Sequence, residues 1–85
     1  MTPMKAVDHL GPLIRKRRLG YAITPEQACN RALEYGVDLP PEHLEEIETK
    51  QRRVPAGIMF GLLDALGVTL YEIQEELRQV EKEMG

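Results

Sequence analysis

The sequence predicts an all-α protein of five helices in one domain, with an extended C-terminal helix. Apolar residues recur at spacings of three and four along most of the chain, which is the period of helices with one buried face. Pro and Gly fall at the borders between these segments. Because 85 residues suffice for one modest core, we expect a single domain over residues 1–85, with its core over about 8–77.

The first predicted helix lies between Asp8 and Gly20. Gly11-Pro12 is awkward inside a helix but tolerable in a first turn, so the helix begins between Asp8 and Pro12. We expect Asp8 to be its N-cap and Gly20 to end it. Its apolar face consists of Val7, Leu10, Leu13 and Ile14.

The second predicted helix begins at Thr24-Pro25-Glu26-Gln27. Thr is a good N-cap, Pro suits the first helical position, and Gln27 can complete a capping box with Thr24. Gly36 is expected to stop the helix. The apolar face consists of Ala28, Cys29, Ala32 and Leu33.

Two further helices are predicted on either side of a basic loop. The third is short, from about Pro41 to Thr49, with Leu44 and Ile47 facing inward. The fourth is opened by Pro55 and ends at Gly67. Its apolar residues are Ile58, Met59, Leu62, Leu63 and Leu66.

The fifth predicted helix spans about residues 69–84 and starts with a Thr69–Glu72 capping box. Its apolar residues follow spacings of three and four: Leu70, Ile73, Leu77, Val80 and Met84. In one interpretation, Leu70, Ile73 and Leu77 complete the core. In the other, Val80 and Met84 lie beyond the core and form, with Leu77, a short homodimer seam.

Composition indicates a protein of the cytoplasm. The chain is 42% hydrophobic and 29% charged, has no Trp and one Phe, and contains no apolar run of membrane-spanning length. No signal-peptide pattern opens the sequence. A single Cys29 cannot form an internal disulfide, which favours a reducing compartment, and we expect it to be a small buried residue.

Charge alternates along the chain although the net charge is only −3. Residues 1–18 carry five basic side chains against one acid, and residues 26–48 carry seven acids against one Arg. A second basic segment covers 50–53, and an excess of acids covers 64–83. Two basic segments that flank an acidic one can form one surface after folding, so the net charge does not exclude DNA as a partner.

The ordered set of helices and motifs resembles the phage-repressor and Cro-like (XRE-type) helix-turn-helix family over about residues 10–77. The residues that carry the resemblance are Leu10-Gly11, Ile14-Arg15, Arg18, Ile23-Thr24, Ile47-Glu48, the basic loop Lys50 to Pro55, and the stretch Leu63-Asp64-Ala65-Leu66-Gly67-Val68-Thr69-Leu70. The resemblance implies a five-helix repressor-like helix-turn-helix domain. It also implies a transcriptional regulator that binds double-stranded DNA, as a homodimer that reads two half-sites.

The resemblance also implies roles for individual residues. Arg18 and Glu48 are expected to form an ion pair that ties the first helix to the third. The residues expected to bind the DNA backbone are Arg15, Lys16, Arg17, Thr24, Lys50, Arg52 and Arg53. The residues expected to face base edges, or a protein partner, are Pro41, Glu42, His43, Glu45 and Glu46.

The sequence departs from the family pattern in three places. The segment between Thr24 and Glu48 is about five residues longer than usual. Pro25 stands where a phosphate-binding Gln is common, and it offers no donor. The third helix is acidic: Glu accepts from the cytosine N4 amino group, but several carboxylates between two phosphate strands add repulsion.

These departures leave a second function open. The acidic stretch from Glu34 to Glu48 suits a protein-interaction module on the same fold that does not bind DNA. An enzyme is not expected, because His9, His43 and Cys29 have no metal-ligand spacing and no phosphate loop or nucleophile motif is present. The sequence therefore predicts no metal, no cofactor, no membrane association and no small-molecule substrate.

Overall fold

The computed structural model describes residues 6–84, and side chains from 7 to 83. This part of the chain contains a short 3₁₀-helix, five α-helices and no strand, so the predicted all-helical architecture is confirmed. The 3₁₀-helix is η1 (Ala6–Leu10), and the α-helices are α1 (Gly11–Gly20), α2 (Pro25–Leu33), α3 (Pro41–Glu48), α4 (Ala56–Ala65) and α5 (Leu70–Met84).

Two helices begin with the predicted capping boxes. At α2, Thr24 Oγ1 accepts from the backbone N–H of Gln27 at 3.1 Å, and Gln27 Oε1 accepts from the N–H of Thr24 at 2.8 Å. At α5, the same exchange links Thr69 and Glu72, at 3.2 and 2.7 Å. Each box satisfies two backbone donors that have no partner inside the helix.

Four helices end in the same hydrogen-bonded turn, in which one residue adopts a left-handed conformation. Gly36 (φ 79°) and Gly67 (φ 70°) end α2 and α4, as the sequence predicts. Ala22 (φ 55°) and Lys50 (φ 64°) occupy the same position after α1 and α3. In the turn after α3, Lys50 N donates to Ile47 O at 3.2 Å and Gln51 N donates to Glu46 O at 2.7 Å.

One core joins all the helices. Its fully buried side chains are Leu10, Ile14, Leu44, Ile47, Met59, Leu62, Leu63 and Leu66. Helix α3 packs against α1 and α2, while η1 packs against α5 and α4. Leu44 and Ile47 face inward as predicted, and Cys29 is buried in the same core. No helix within residues 6–84 combines the length and apolarity needed to cross a bilayer.

The α1–α3 contact depends on a glycine. A Cβ on Gly11 would overlap the backbone carbonyl of Ile47 and lie 3.3 Å from the Cα of Glu48. No side chain fits there, so the start of α1 lies directly against the end of α3.

The structure corrects the expectation for Asp8. Asp8 is not the N-cap of α1, because it lies inside η1 and is 4% exposed; the N-cap position belongs to Leu10 and has no side-chain cap. The 3₁₀-helix that precedes α1 explains the difference, since it moves the start of the α-helix to Gly11.

The expectations for the apolar faces of α4 and α5 also need correction. Leu70, expected to complete the core, is 67% exposed because it lies in the first turn of α5, and Ile58 is 36% exposed. Val80, expected to lie outside the core in a dimer seam, is 5% exposed within the single chain. Leu77 packs against the core, and the side chain of Met84 lies outside the described residues. Leu77 and Val80 therefore do not form an exposed stripe.

Candidate nucleic-acid interface

A buried ion pair fixes α3 relative to α1. Arg18 Nε donates to Glu48 Oε2 at 2.8 Å and Arg18 Nη2 donates to Glu48 Oε1 at 2.9 Å, in the two-pronged geometry that Arg and carboxylate favour. The two side chains are 9% and 1% exposed. A third bond, from Arg18 Nη1 to the Ile23 carbonyl at 3.0 Å, ties in the turn before α2. The pair implied by the resemblance is present.

The electrostatics of this pair follow from its geometry. The hydrogen bond with Glu48 raises the pKa of Arg18, against the opposing effect of burial. Arg18 therefore stays charged, and the orientation of α3 depends on a charge pair that is almost fully removed from water.

The same contact brings the two basic segments of the chain together. Gly11, Arg15 and Arg18 lie on one face of α1, because they are four and three residues apart. Gly11 and Arg18 both lie against Glu48 at the end of α3, and Lys50 follows two residues later. The exposed Arg15 is on the same side of α1 by helical spacing. We call Arg15, Lys50, Arg52 and Arg53 the basic edge.

Two residues of the basic edge are engaged by acids of the same chain. Arg52 Nε lies 3.0 Å from Glu46 Oε2, and the two side chains are 41% and 37% exposed. Arg53 Nε lies 3.9 Å from the buried Asp8 Oδ2, which joins the basic loop to η1. Arg15 and Lys50 are exposed and form no ion pair within residues 7–83. Two cations of the edge are therefore free for a phosphate, and two must first leave or share a carboxylate.

Two other predicted phosphate-binding residues lie elsewhere on α1. Arg17 forms an ion pair with Glu72 of α5, and its guanidinium lies 5.9 Å from the ring centroid of Tyr21. Lys16 is exposed and, like Arg17, Tyr21 and Glu72, lines a groove between α1 and α5. Hence the structure divides the Arg15-Lys16-Arg17 run: Lys16 and Arg17 line this groove, and Arg15 does not.

The predicted backbone contact at Thr24 is exposed at the start of α2. Its hydroxyl oxygen already accepts the Gln27 N–H of the capping box. The hydroxyl hydrogen remains available as a donor. Pro25, the next residue, has no N–H, so this helix start offers fewer donors than a typical one.

The surface of α3 is acidic, as the sequence indicates. Glu42 and Glu45 are exposed and form no ion pair within residues 7–83. Glu46 is partly shielded and shares Arg52, which reduces the negative potential near the basic edge. Pro41 is half-buried at the start of the helix.

His43 does not stand free on that surface. It is half-buried and lines a small pocket of about 230 Å³ beside Leu39, Arg52 and Ile58. Its side chain is therefore less available to a ligand on the exposed face of α3 than the sequence suggests.

Several contacts of the basic side chains were not predicted from the sequence. The pairs Arg52–Glu46, Arg53–Asp8 and Arg17–Glu72 join residues 6, 45 and 55 positions apart, which no helical period links. Arg31 lies 5.2 Å from the ring centroid of Tyr21, a cation–π contact that also has no local sequence signal.

Comparison of the chain with protein-family models, with curated proteins and with solved structures gives no match.

Proposed function

We propose that this chain is a DNA-binding transcriptional regulator of the repressor-like helix-turn-helix type. In this proposal α3 faces the major groove and the basic edge contacts the phosphates on one side of it. The observation that supports the proposal is the α1–α3 contact: Gly11 and Arg18 lie against the end of α3, and Lys50 follows two residues after Glu48. Helical spacing puts Arg15 on the same side of α1 as these contacts. Cations from two segments that are distant in sequence, close to a short helix with one exposed face, suit a phosphate backbone.

The acidic face of α3 limits how such a helix reads DNA. Glu46 is a carboxylate of α3 that pairs with the basic edge, through Arg52. A carboxylate that is neutralised in this way can accept from a cytosine N4 amino group at a lower electrostatic cost than Glu42 or Glu45. We therefore expect binding in which phosphates supply most of the affinity.

A duplex-binding assay with matched variants tests the proposal. Fluorescence anisotropy with a mixed-sequence duplex of about 20 base pairs at low salt should detect binding, because phosphate contacts act on any sequence. The double variant Arg15→Gln/Lys50→Gln should weaken it several-fold. The control Arg78→Gln/Lys82→Gln removes the same charge from α5, away from the basic edge, and should have little effect. Absence of binding at low salt contradicts the proposal.

The second candidate is a protein-interaction module whose partner is basic. The observation that favours it is the pair of exposed carboxylates on α3, Glu42 and Glu45, which form no ion pair within residues 7–83. In that case the double variant Glu42→Gln/Glu45→Gln should abolish binding of a stoichiometric protein partner. For a DNA-binding protein the same variant should instead strengthen binding to a duplex, so the two functions predict opposite results.

A further inference from the structure

A small apolar contact joins α5 to the other described helices. Helix α5 has 15 residues, yet within residues 6–84 its main packing partner is the short η1 rather than one of the other α-helices. Of its described side chains, Ile73 and Val80 are buried and Leu77 is partly buried, and Val80 lies outside the core that joins the other helices. Helix α5 therefore buries little apolar surface for its length.

A groove separates α5 from α1. It has a volume of about 590 Å³, and its lining residues run from Leu13 to Tyr21 on α1 and from Tyr71 to Gln79 on α5. The lining residues of α5 cover about two helical turns. Side chains of packed helices interdigitate, so a groove of this size shows that α1 gives this part of α5 little support.

One ion pair bridges the groove at the start of α5. Arg17 donates to Glu72 Oε1, and the two side chains are 26% and 34% exposed. The other carboxylate oxygen of Glu72 accepts from the Thr69 N–H in the capping box. Among the ion pairs within residues 7–83, the Arg17–Glu72 pair is the one that ties α5 to another helix, since Arg78 pairs with Glu75 inside α5.

We infer that α5 opens as a unit, separately from α1–α4, and that the Arg17–Glu72 pair holds it closed. A segment with few buried apolar contacts opens at a lower free energy than the core of the same domain. In the open state α5 leaves η1 and exposes Ile73 and Val80, while η1 stays with α1, which directly follows it in the chain.

The opening leaves the α1–α3 contact intact. The Arg18–Glu48 pair and the core residue Ile47 lie outside α5, so α3 and the basic edge keep their positions in the open state. The fold thus contains a device that uncovers an apolar helix face without disturbing α3. The inference does not rest on DNA binding, and its test contains no DNA.

Native-state hydrogen exchange, followed by NMR at low urea concentrations, tests the inference. Amides of α5 should exchange through an opening of lower free energy than that of the slowest amides of α2 and α3. The α5 opening should depend weakly on urea, because it exposes little surface, whereas the slow amides of α2 and α3 should show the steep dependence of global unfolding.

Two variants separate the opening of α5 from global unfolding. Ile47→Val weakens a core that is intact in the open state, so the slow amides of α2 and α3 should exchange about two- to tenfold faster and those of α5 should not change. Arg17→Gln removes a contact that is absent from both the open and the unfolded state. Both sets of amides should then exchange faster, by about two- to fivefold.

Arg78→Gln is the matched control for Arg17→Gln. It removes the same charge and breaks the Arg78–Glu75 pair, which lies within α5 and has side chains 64% and 42% exposed. Exchange of the α5 amides should change by about twofold at most. Circular dichroism of each variant verifies that it is folded.

Two results would overturn the inference. The first is a set of α5 amides that exchange as slowly as those of α2 and α3 and respond equally to Ile47→Val, which is the behaviour of one cooperative unit. The second is a folded Arg17→Gln variant in which the α5 amides exchange at the wild-type rate.

Discussion

Arg18 and Glu48 form two hydrogen bonds of 2.8 and 2.9 Å across the α1–α3 contact, with both side chains almost fully removed from water. The pair sets the angle of α3 and thereby the position of the basic loop that follows it. A desolvated pair contributes little net stability compared with apolar residues of similar size, but the loss of one partner is costly. Its value to the protein is thus the fixed position of α3.

Removal of one partner should destabilise the protein strongly. Glu48→Gln leaves the Arg18 guanidinium buried without its counter-charge, and the free energy of unfolding should fall by about 3 kcal/mol. Urea unfolding followed by circular dichroism measures this change. The exposed Arg78–Glu75 pair is the control, and Arg78→Gln should change the stability by less than about 0.5 kcal/mol. A similar small change for Glu48→Gln would contradict the role of the pair.

The close approach at Gly11 gives a second prediction. A methyl group on Gly11 overlaps the Ile47 carbonyl, which is backbone and cannot rotate away, so Gly11→Ala should cost about 1–3 kcal/mol or more. Gly57→Ala in α4 is the matched control, because no atom lies within 4 Å of the added Cβ. It should be neutral or stabilise by up to about 1 kcal/mol. Equal effects of the two substitutions in thermal unfolding would argue against a tight α1–α3 contact.

Because of Cys29, the free energy of unfolding should depend on pH in the alkaline range. Burial, followed by the nearby Glu48, Glu42 and Glu26, raises the pKa of the thiol above its ordinary value of 9.0. The unfolded chain therefore loses this proton first as the pH rises, and the free energy of unfolding should fall above about pH 9. Below that pH the thiol is neutral in both states and the contribution is constant.

Cys29→Ala tests this sign. The variant should lose part of the decline in stability above about pH 9 that the wild-type chain displays in urea unfolding at a series of pH values. Other groups that titrate in this range are common to both chains, so the difference between the two slopes belongs to Cys29. Identical slopes would contradict a raised pKa.

The Arg52–Glu46 pair should restrain DNA binding. Glu46→Gln removes a negative charge from α3 and releases Arg52, so duplex affinity should rise. The slope of log affinity against log salt should steepen by up to about 0.9, the value for one more phosphate contact. Glu83→Gln, an exposed change at the end of α5, should do neither. If both variants behave alike, Arg52 does not reach a phosphate.

Local sequence signals account for most of the fold. The boxes at Thr24 and Thr69 fix where α2 and α5 begin, and Gly36 and Gly67 fix where α2 and α4 end, because each acts through neighbouring backbone groups. Val80 is buried, contrary to the sequence prediction, because the periodicity of α5 does not reveal which other parts of the chain, such as η1, pack against this helix. Burial of a helix face depends on which element lies opposite, and that is a tertiary property.

The candidate site was predictable to a lesser extent. The family resemblance predicted the Arg18–Glu48 ion pair, and the charge pattern of the sequence predicted the basic and acidic segments. Charge counting along the chain treats Arg17, Arg52 and Arg53 as alike, yet each pairs with an acid from a different element. Whether a cation is available for a ligand depends on such contacts, which only the folded arrangement determines.

The salt dependence of duplex binding tests the central claim most directly. Log affinity should fall linearly with log salt, and Lys50→Gln, which removes one unpaired cation of the basic edge, should reduce the magnitude of the slope by about 0.9. Lys82→Gln on α5 should leave the slope unchanged. Absence of duplex binding at low salt, or a slope that Lys50→Gln does not alter, would contradict the assignment of the basic edge to a phosphate backbone.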